Sequence, residues 1–300
     1  MRDLCRGTGH LQAHMKYGKK RGIFFASTIL ILILGCSLSV TSIASATSTS
    51  KVVKRTTTFV GGDLHTLTFT KNGLFVTGHQ AGSNSTDEGI KWRNISSINN
   101  ADIMAWATTN LGYLAGGHNG LFRSTNGGKT FTRFDFYRKA SDIHSLGAAG
   151  KIVYLGSPQV GLLRSIDNGK SWKVVNSKFG QGLMGSMLVD PLNPLRVIAP
   201  DMRNGLVVTT DGGKSWVRFG GPQGAMAIDW NQKNRKEIVA LGMGIGGVTK
   251  DNGKTWSAFS VPMGTSAIAF NVTGSRIFVA TLVGERASIL SSDDLGKHWA

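Results

Sequence analysis

Apolar positions follow two regimes along this chain. Ile23 to Leu34 is one mostly apolar run, whereas beyond about residue 59 apolar residues come in strand-length bursts between glycine-bearing turns. One unit displays the pattern. Asp142 to Leu146 predicts a first strand, Lys151 to Gly156 a second and Gly161 to Ser165 a third, and a fourth begins at Trp172. Forty glycines and a charged fraction of 17% suit many short strands and tight turns.

The turn between third and fourth strands recurs six times. It reads Ser85 to Trp92, Ser124 to Phe131, Ser165 to Trp172, Thr209 to Trp216, Thr249 to Trp256 and Ser292 to Trp299. Its acidic or amide position falls at Asp87, Asn126, Asp167, Asp211, Asp251 and Asp294, at intervals of 39, 41, 44, 40 and 43 residues. A strand-rich period near 40 predicts propeller blades. The Asp or Asn is expected to accept backbone N–H groups, the glycine to take a positive φ, and the aromatic to pack into the core.

This octapeptide resembles the Asp-box, or BNR, repeat of sialidases, sortilin-type receptors and photosystem II assembly factors. Asn126, Phe131, Lys91 and His298 are mild departures from the pattern. The resemblance implies an all-β fold, a β-propeller, here with six blades of four antiparallel strands over residues 59–300. The Lys51 to Val60 stretch is expected to complete the last blade.

Aligning the units exposes a second periodicity. The start of the first strand carries His65, Met104, His144, Met187, Met226 and Ser266 in turn, with Asp63, Asp102 and Asp142 two residues before the first three. The loop after the second strand carries His79, His118, Met202 and Met243, and Pro158-Gln159 in the third unit. In a propeller these two regions meet at one channel mouth, opposite the repeat turns. The functional reading is a metal site made from His65, His79, His118, His144, Met104, Met187, Met202, Met226 and Met243. Imidazole with thioether favours copper, Cu(I) above all, and the flanking carboxylates would orient the imidazoles. The competing reading has methionine filling irregular inner-strand space and the histidines binding water.

The apolar run follows a basic segment, Lys16 to Arg21, and precedes small residues. That order is a signal peptide. Ile33 to Cys36 resembles a lipobox with Cys36 as the lipidated residue, Ala44 to Ala46 is an ordinary A-x-A cleavage site, and an uncleaved anchor is the third alternative. Residues 1–46 are thus read as an export segment and 47–58 as a Ser/Thr-rich tether. All three alternatives place the domain outside the cytoplasm, touching a membrane only through the N-terminal anchor or lipid. Both cysteines, Cys5 and Cys36, precede the domain, which excludes a disulfide or thiol nucleophile within it.

Formal net charge is +17, but no dense Lys/Arg block interleaved with aromatics appears. Nucleic acid is therefore not the expected partner. A diffuse positive surface outside a cell suits an anionic envelope component. The sortilin-type and assembly-factor resemblance implies a protein or peptide partner for a monomeric, non-catalytic propeller. The sialidase resemblance implies the alternative, a glycoside hydrolase. Such an enzyme needs an arginine triad, a Tyr–Glu nucleophile pair and an acid/base Asp. The Arg-Ile-Pro element is absent, and Tyr113, Tyr137 and Tyr154 are the tyrosines of the domain.

Overall fold

Each blade is organised from its repeat turn outward. In the computed structural model, which describes residues 64–300 apart from 138 and 285, Ser165 Oγ accepts the Gly169 N–H at 2.8 Å and donates to Asp167 Oδ1 at 2.7 Å. Asp167 also accepts the Ser171 hydroxyl at 2.6 Å and the N–H groups of Ser171 and Lys170 at 2.9 and 3.0 Å. These donors, the Ser171 hydroxyl foremost, hold the Asp167 carboxyl well below the usual carboxylate range. Gly169 closes the turn at φ 78°, and the Trp172 indole N–H donates to its carbonyl at 3.1 Å.

The departures from the octapeptide keep most of this chemistry. Asn126 accepts the Thr130 N–H through Oδ1 and donates to the Thr130 hydroxyl through Nδ2. His298 replaces the hydroxyl residue and places Nδ1 2.6 Å from Asp294 Oδ2. Lys91 contributes its backbone N–H to Asp87 at 2.8 Å.

Hairpins tied by these turns form six sheets. Blade 1 comprises Leu64–Thr70, Gly73–Gly78, Gly82–Ser85 and Arg93–Asn94; blade 2 comprises Ile103–Thr109, Gly112–Gly117, Gly120–Ser124 and Thr132–Phe134. Blade 3 holds Ser145–Ala149, Ile152–Ser157, Gly161–Ser165 and Lys173–Asn176. Blade 4 holds Leu188–Val189, Val197–Asp201, Gly205–Thr209 and Val217–Gly220. Ala227–Asn231, Asn234–Leu241, Ile245–Thr249 and Ser257–Ser260 make blade 5; Thr265–Phe270, Ile277–Val283 and Arg286–Ser292 make blade 6. Within each blade the strands pair antiparallel in chain order, A to D in blades 1 to 5 and A to C among the described residues of blade 6. This is the expected six-bladed β-propeller. The stretch expected to complete blade 6, the export segment and the tether all lie outside the described residues. Among the described residues no helix is long and apolar enough to cross a membrane.

Both faces of a blade are covered, so the middle of strand B is apolar and buried, as at Val153, Tyr154 and Leu155 of blade 3. The core is accordingly six slabs, one per blade–blade interface. Leu162 of blade 3 packs with Val197 and Val207 of blade 4, and Leu206 of blade 4 with Ile228 and Ile238 of blade 5. Leu64 and Leu74 of blade 1 pack with Phe278 and Ile289 of blade 6, which closes the ring. Arg276 of blade 6 adds an ion pair to Glu88 of the first repeat turn at 3.6 Å.

Two details shape the channel. The inner strand of blade 3 begins at Ser145, three residues beyond the predicted start at Asp142. The reason is a detour, in which the Ile143 N–H bonds Gly117 O of blade 2 before the His144 N–H returns to Gly156 O. In blade 4 the inner strand is broken. Gly185–Ser186 pairs parallel with Ser145–Leu146 of blade 3, and Ser186 Oγ accepts the Trp106 N–H of blade 2 at 3.4 Å. Gly185 has φ 61° and abuts Met226 O of blade 5, so this segment reaches into the channel between the inner strands of blades 2, 3 and 5. The mouth on the side of the D–A and B–C connections forms a basin lined by His65 and the neighbouring inner strands.

Candidate functional site

Four histidines and two aspartates converge in that basin. His65 occupies a β-bulge, because the register between strands A and B of blade 1 shifts between Leu64 and Thr66 and passes over it. The same bulge holds Met104 in blade 2. His79 sits in the B–C turn of blade 1, closed by the Gly78 N–H to Ala81 O bond, and His118 in that of blade 2. Asp102 and Asp142 lie on the connections entering blades 2 and 3.

The backbone holds the carboxylates tightly. Asp102 has φ 51°, a left-handed conformation uncommon outside glycine and tolerated by Asp and Asn. Its carbonyl accepts the His118 N–H at 3.3 Å, and a Cβ on Gly117 would collide with that carbonyl. Asp142 is held by Gln159, the residue that blade 3 has where blades 1 and 2 have histidine. Gln159 Oε1 accepts the N–H groups of Ser141 and Asp142 at 2.7 and 3.3 Å.

The side chains form two triads. In the first, Asp102 Oδ1 lies 3.4 Å from His79 Nε2 and 3.8 Å from His65 Nε2. In the second, His144 Nε2 lies 3.1 Å from Asp142 Oδ1 and 3.2 Å from His118 Nε2, which is 3.8 Å from the same carboxylate oxygen. His118 Nδ1 lies 2.6 Å from Asp102 Oδ2 and so links the triads. Asp102 Oδ1 and Asp142 Oδ1 are both buried without a hydrogen-bond donor, although the side chains are 21% and 25% exposed. Within each triad the three donor atoms lie within 4.8 Å of one another. A tetrahedral ion with bonds of about 2.0–2.2 Å sets its donors about 3.4 Å apart, so small shifts would bring these atoms into a first coordination shell.

The predicted ring of histidine and methionine is thus resolved into parts. All four histidines meet in blades 1 to 3. Met187 packs in the apolar slab with Tyr154 and Leu183, at 4% exposure, away from the two histidine groups. Met104 is buried in its bulge, and Met226 follows the blade 5 loop with its N–H on Leu241 O. Met202 and Met243 stand exposed in the B–C turns of blades 4 and 5, Met243 against Gly224. The carboxylates expected behind the imidazoles stand level with them: Asp102 and Asp142 each offer a donor atom of their own. Asp63 lies outside the described residues.

A further carboxylate lines the channel below the basin. Asp229 accepts the Trp230 and Phe270 N–H groups at 2.8 Å each, joining the inner strands of blades 5 and 6. Burial pushes its carboxyl up to about 7 despite those bonds. Tyr113 and Tyr154 are buried away from the basin, with hydroxyls bonded to Thr70 and to the Pro194 carbonyl, so neither is placed as a nucleophile there.

The fold and basin define a six-bladed propeller carrying a His4Asp2 cluster at one channel mouth. No family model matches the sequence, and no curated protein matches it. Solved structures do. The chain is similar to a GH74 enzyme of Niastella koreensis at 14% identity and TM-score 0.58, covering 82% of this chain and 55% of that one. A GH74 xyloglucanase from Xanthomonas campestris matches at 18% identity and TM-score 0.57, over 82% and 46%. YCF48 from Cyanidioschyzon merolae matches at 18% identity and TM-score 0.53, over 82% and 86%. This chain spans about half the length of the two GH74 chains. Likeness at these identities is one of fold.

Proposed function

We propose that this propeller is a non-catalytic, extracytoplasmic binding protein that captures a divalent transition-metal ion in the basin at its channel mouth. The observation that carries the reading is the convergence of four imidazoles with two carboxylate oxygens that are buried and lack a hydrogen-bond donor. A buried acceptor without a donor is costly, and a cation is the partner that satisfies it. Two imidazoles with one carboxylate form a nitrogen–oxygen set, which suits Zn2+, Ni2+, Fe2+ or Cu2+ better than Cu+. Location outside the cytoplasm rests on the basic-then-apolar order of residues 16–34.

The test is a titration of the purified full chain with Zn2+, Cu2+ and Cu+ against competing chelators, beside a His65→Ala/His144→Ala variant. Stoichiometric binding of a divalent ion that disappears in the variant is expected. Binding that is weak, or equal in both proteins, overturns the metal reading.

A second reading has its own observation. Met202 and Met243 in the B–C turns of blades 4 and 5, Met263 in the connection entering blade 6, and Ile245 and Val283 at the adjoining strand ends are exposed apolar side chains, in blades other than those that carry the histidines. Such a rim suits an apolar stretch of a protein or peptide partner. The test is binding of a panel of apolar and polar peptides: affinity lost in a Met243→Lys/Met263→Lys variant supports the rim, and an unchanged profile rejects it.

A further inference from the structure

We infer that the basin takes two ions, one in each triad, with the Asp102 carboxylate joining them. The inference rests on the metal reading and adds its stoichiometry and wiring.

The six donors cannot serve a single ion. His118 turns Nδ1 toward Asp102 Oδ2, at 2.6 Å. A carboxylate only accepts, so the neutral ring donates through Nδ1–H and carries its lone pair on Nε2. That atom points toward the second triad, where it lies 3.2 Å from His144 Nε2. Meanwhile Asp102 Oδ1, the oxygen His118 does not use, faces His65 and His79. One carboxylate therefore supplies a ligand to the first ion and orients a ligand of the second. A carboxylate hydrogen-bonded behind a metal-bound imidazole fixes its tautomer and raises its basicity.

The two ions are not bridged by a common oxygen. An imidazole ring and a hydrogen bond stand between them, so the pair is not the clamp about 3.5–4 Å wide that two-metal hydrolases use. The solvent side of each triad is open at His79 and His118, each 42% exposed. Each ion would hold three protein ligands and keep a position for water or an exogenous donor.

The experiment is equilibrium dialysis of the full chain with Zn2+, with Co2+ absorption as a second readout. Variants are His79→Gln, His144→Gln and Asp102→Asn, and their melting curves establish that each is folded. Two ions per wild-type chain are expected. His79→Gln and His144→Gln should each retain one, with distinct Co2+ spectra. Asp102→Asn should lose the first ion and bind the second about 10- to 100-fold more weakly, because His118 loses its anionic partner. One ion in the wild type, abolished by either histidine substitution, overturns the two-ion inference and leaves the metal reading standing. An Asp102→Asn protein that loses one ion and holds the other at wild-type affinity overturns the wiring. Absence of binding to the wild type overturns both readings.

Discussion

His118 Nδ1 lies 2.6 Å from Asp102 Oδ2, and the two residues are also tied through backbone, His118 N–H to Asp102 O at 3.3 Å. The pair therefore depends on a left-handed φ of 51° at Asp102 that few residue types hold cheaply. Side-chain chemistry and backbone strain at this position are separable by substitution. Asp102→Asn keeps a residue that tolerates the left-handed region, whereas Asp102→Ala lacks the short polar side chain that offsets the left-handed penalty of about 1–2 kcal/mol. Chemical denaturation should rank the alanine variant below the asparagine one by about that amount. Equal stabilities would mean that the backbone relaxes at no cost.

The repeat turn makes a prediction about packing. Ser165 is buried, accepts the Gly169 N–H and donates to Asp167. Ser165→Ala leaves that N–H without its acceptor and should cost about 1–3 kcal/mol. A melting-temperature comparison with Ser171→Ala checks it. Ser171 lies at an exposed site, where water replaces the lost bond, so its removal should cost less.

Acid should undo the turns together. Asp167, Asp211 and Asp294 are held well below the usual range by hydroxyl, imidazole and backbone donors, and Asp251 is lowered to about 2, the Thr255 hydroxyl first among its causes. A depressed carboxyl stabilises the fold above its unfolded value of about 3.8, and that stability is lost as pH falls through the folded value. Stability should decline progressively from about pH 4 toward about pH 2, and circular dichroism across that range would detect it. An Asp251→Asn variant, which gives blade 5 the amide that Asn126 supplies in blade 2, should show a shallower acid decline.

How much of this was legible in the sequence follows from what each feature depends on. The octapeptide encodes its own turn, because every bond in it runs between residues at most four apart, from Ser165 to Gly169. Six copies then specify six blades. The basin was legible in part, since strand starts and B–C turns recur with the blade period and brought His65, His79, His118 and His144 to one mouth. Equivalence by period did not reveal what each side chain touches. Met187 shares its alignment column with His65, yet the break in the blade 4 inner strand turns it into the Tyr154 slab. The forward position of Asp102 depends on one backbone dihedral and on Gly117, and no residue pattern announces either. Asp229 carries no periodic signal, because its significance lies in burial and in bonding the next blade.

That carboxylate yields the last prediction. Asp229 spans two inner strands through the Trp230 and Phe270 N–H groups, and burial raises its carboxyl from 3.8 to about 7. A group with a raised folded value binds its proton more tightly in the native state than in the unfolded one. Stability linked to it is therefore greatest below about pH 4, falls as pH rises toward about 7 and levels off beyond. This slope is opposite in sign to that of the repeat turns and occupies a different window, so the two are separable in one pH series. Asp229→Asn cannot titrate, and its unfolding free energy should lose the decline between about pH 4 and 7. Denaturant midpoints at half-unit pH steps measure the difference between the two proteins. Parallel profiles across that window would show that Asp229 is ionised in the fold at neutral pH, with the two N–H groups outweighing its burial.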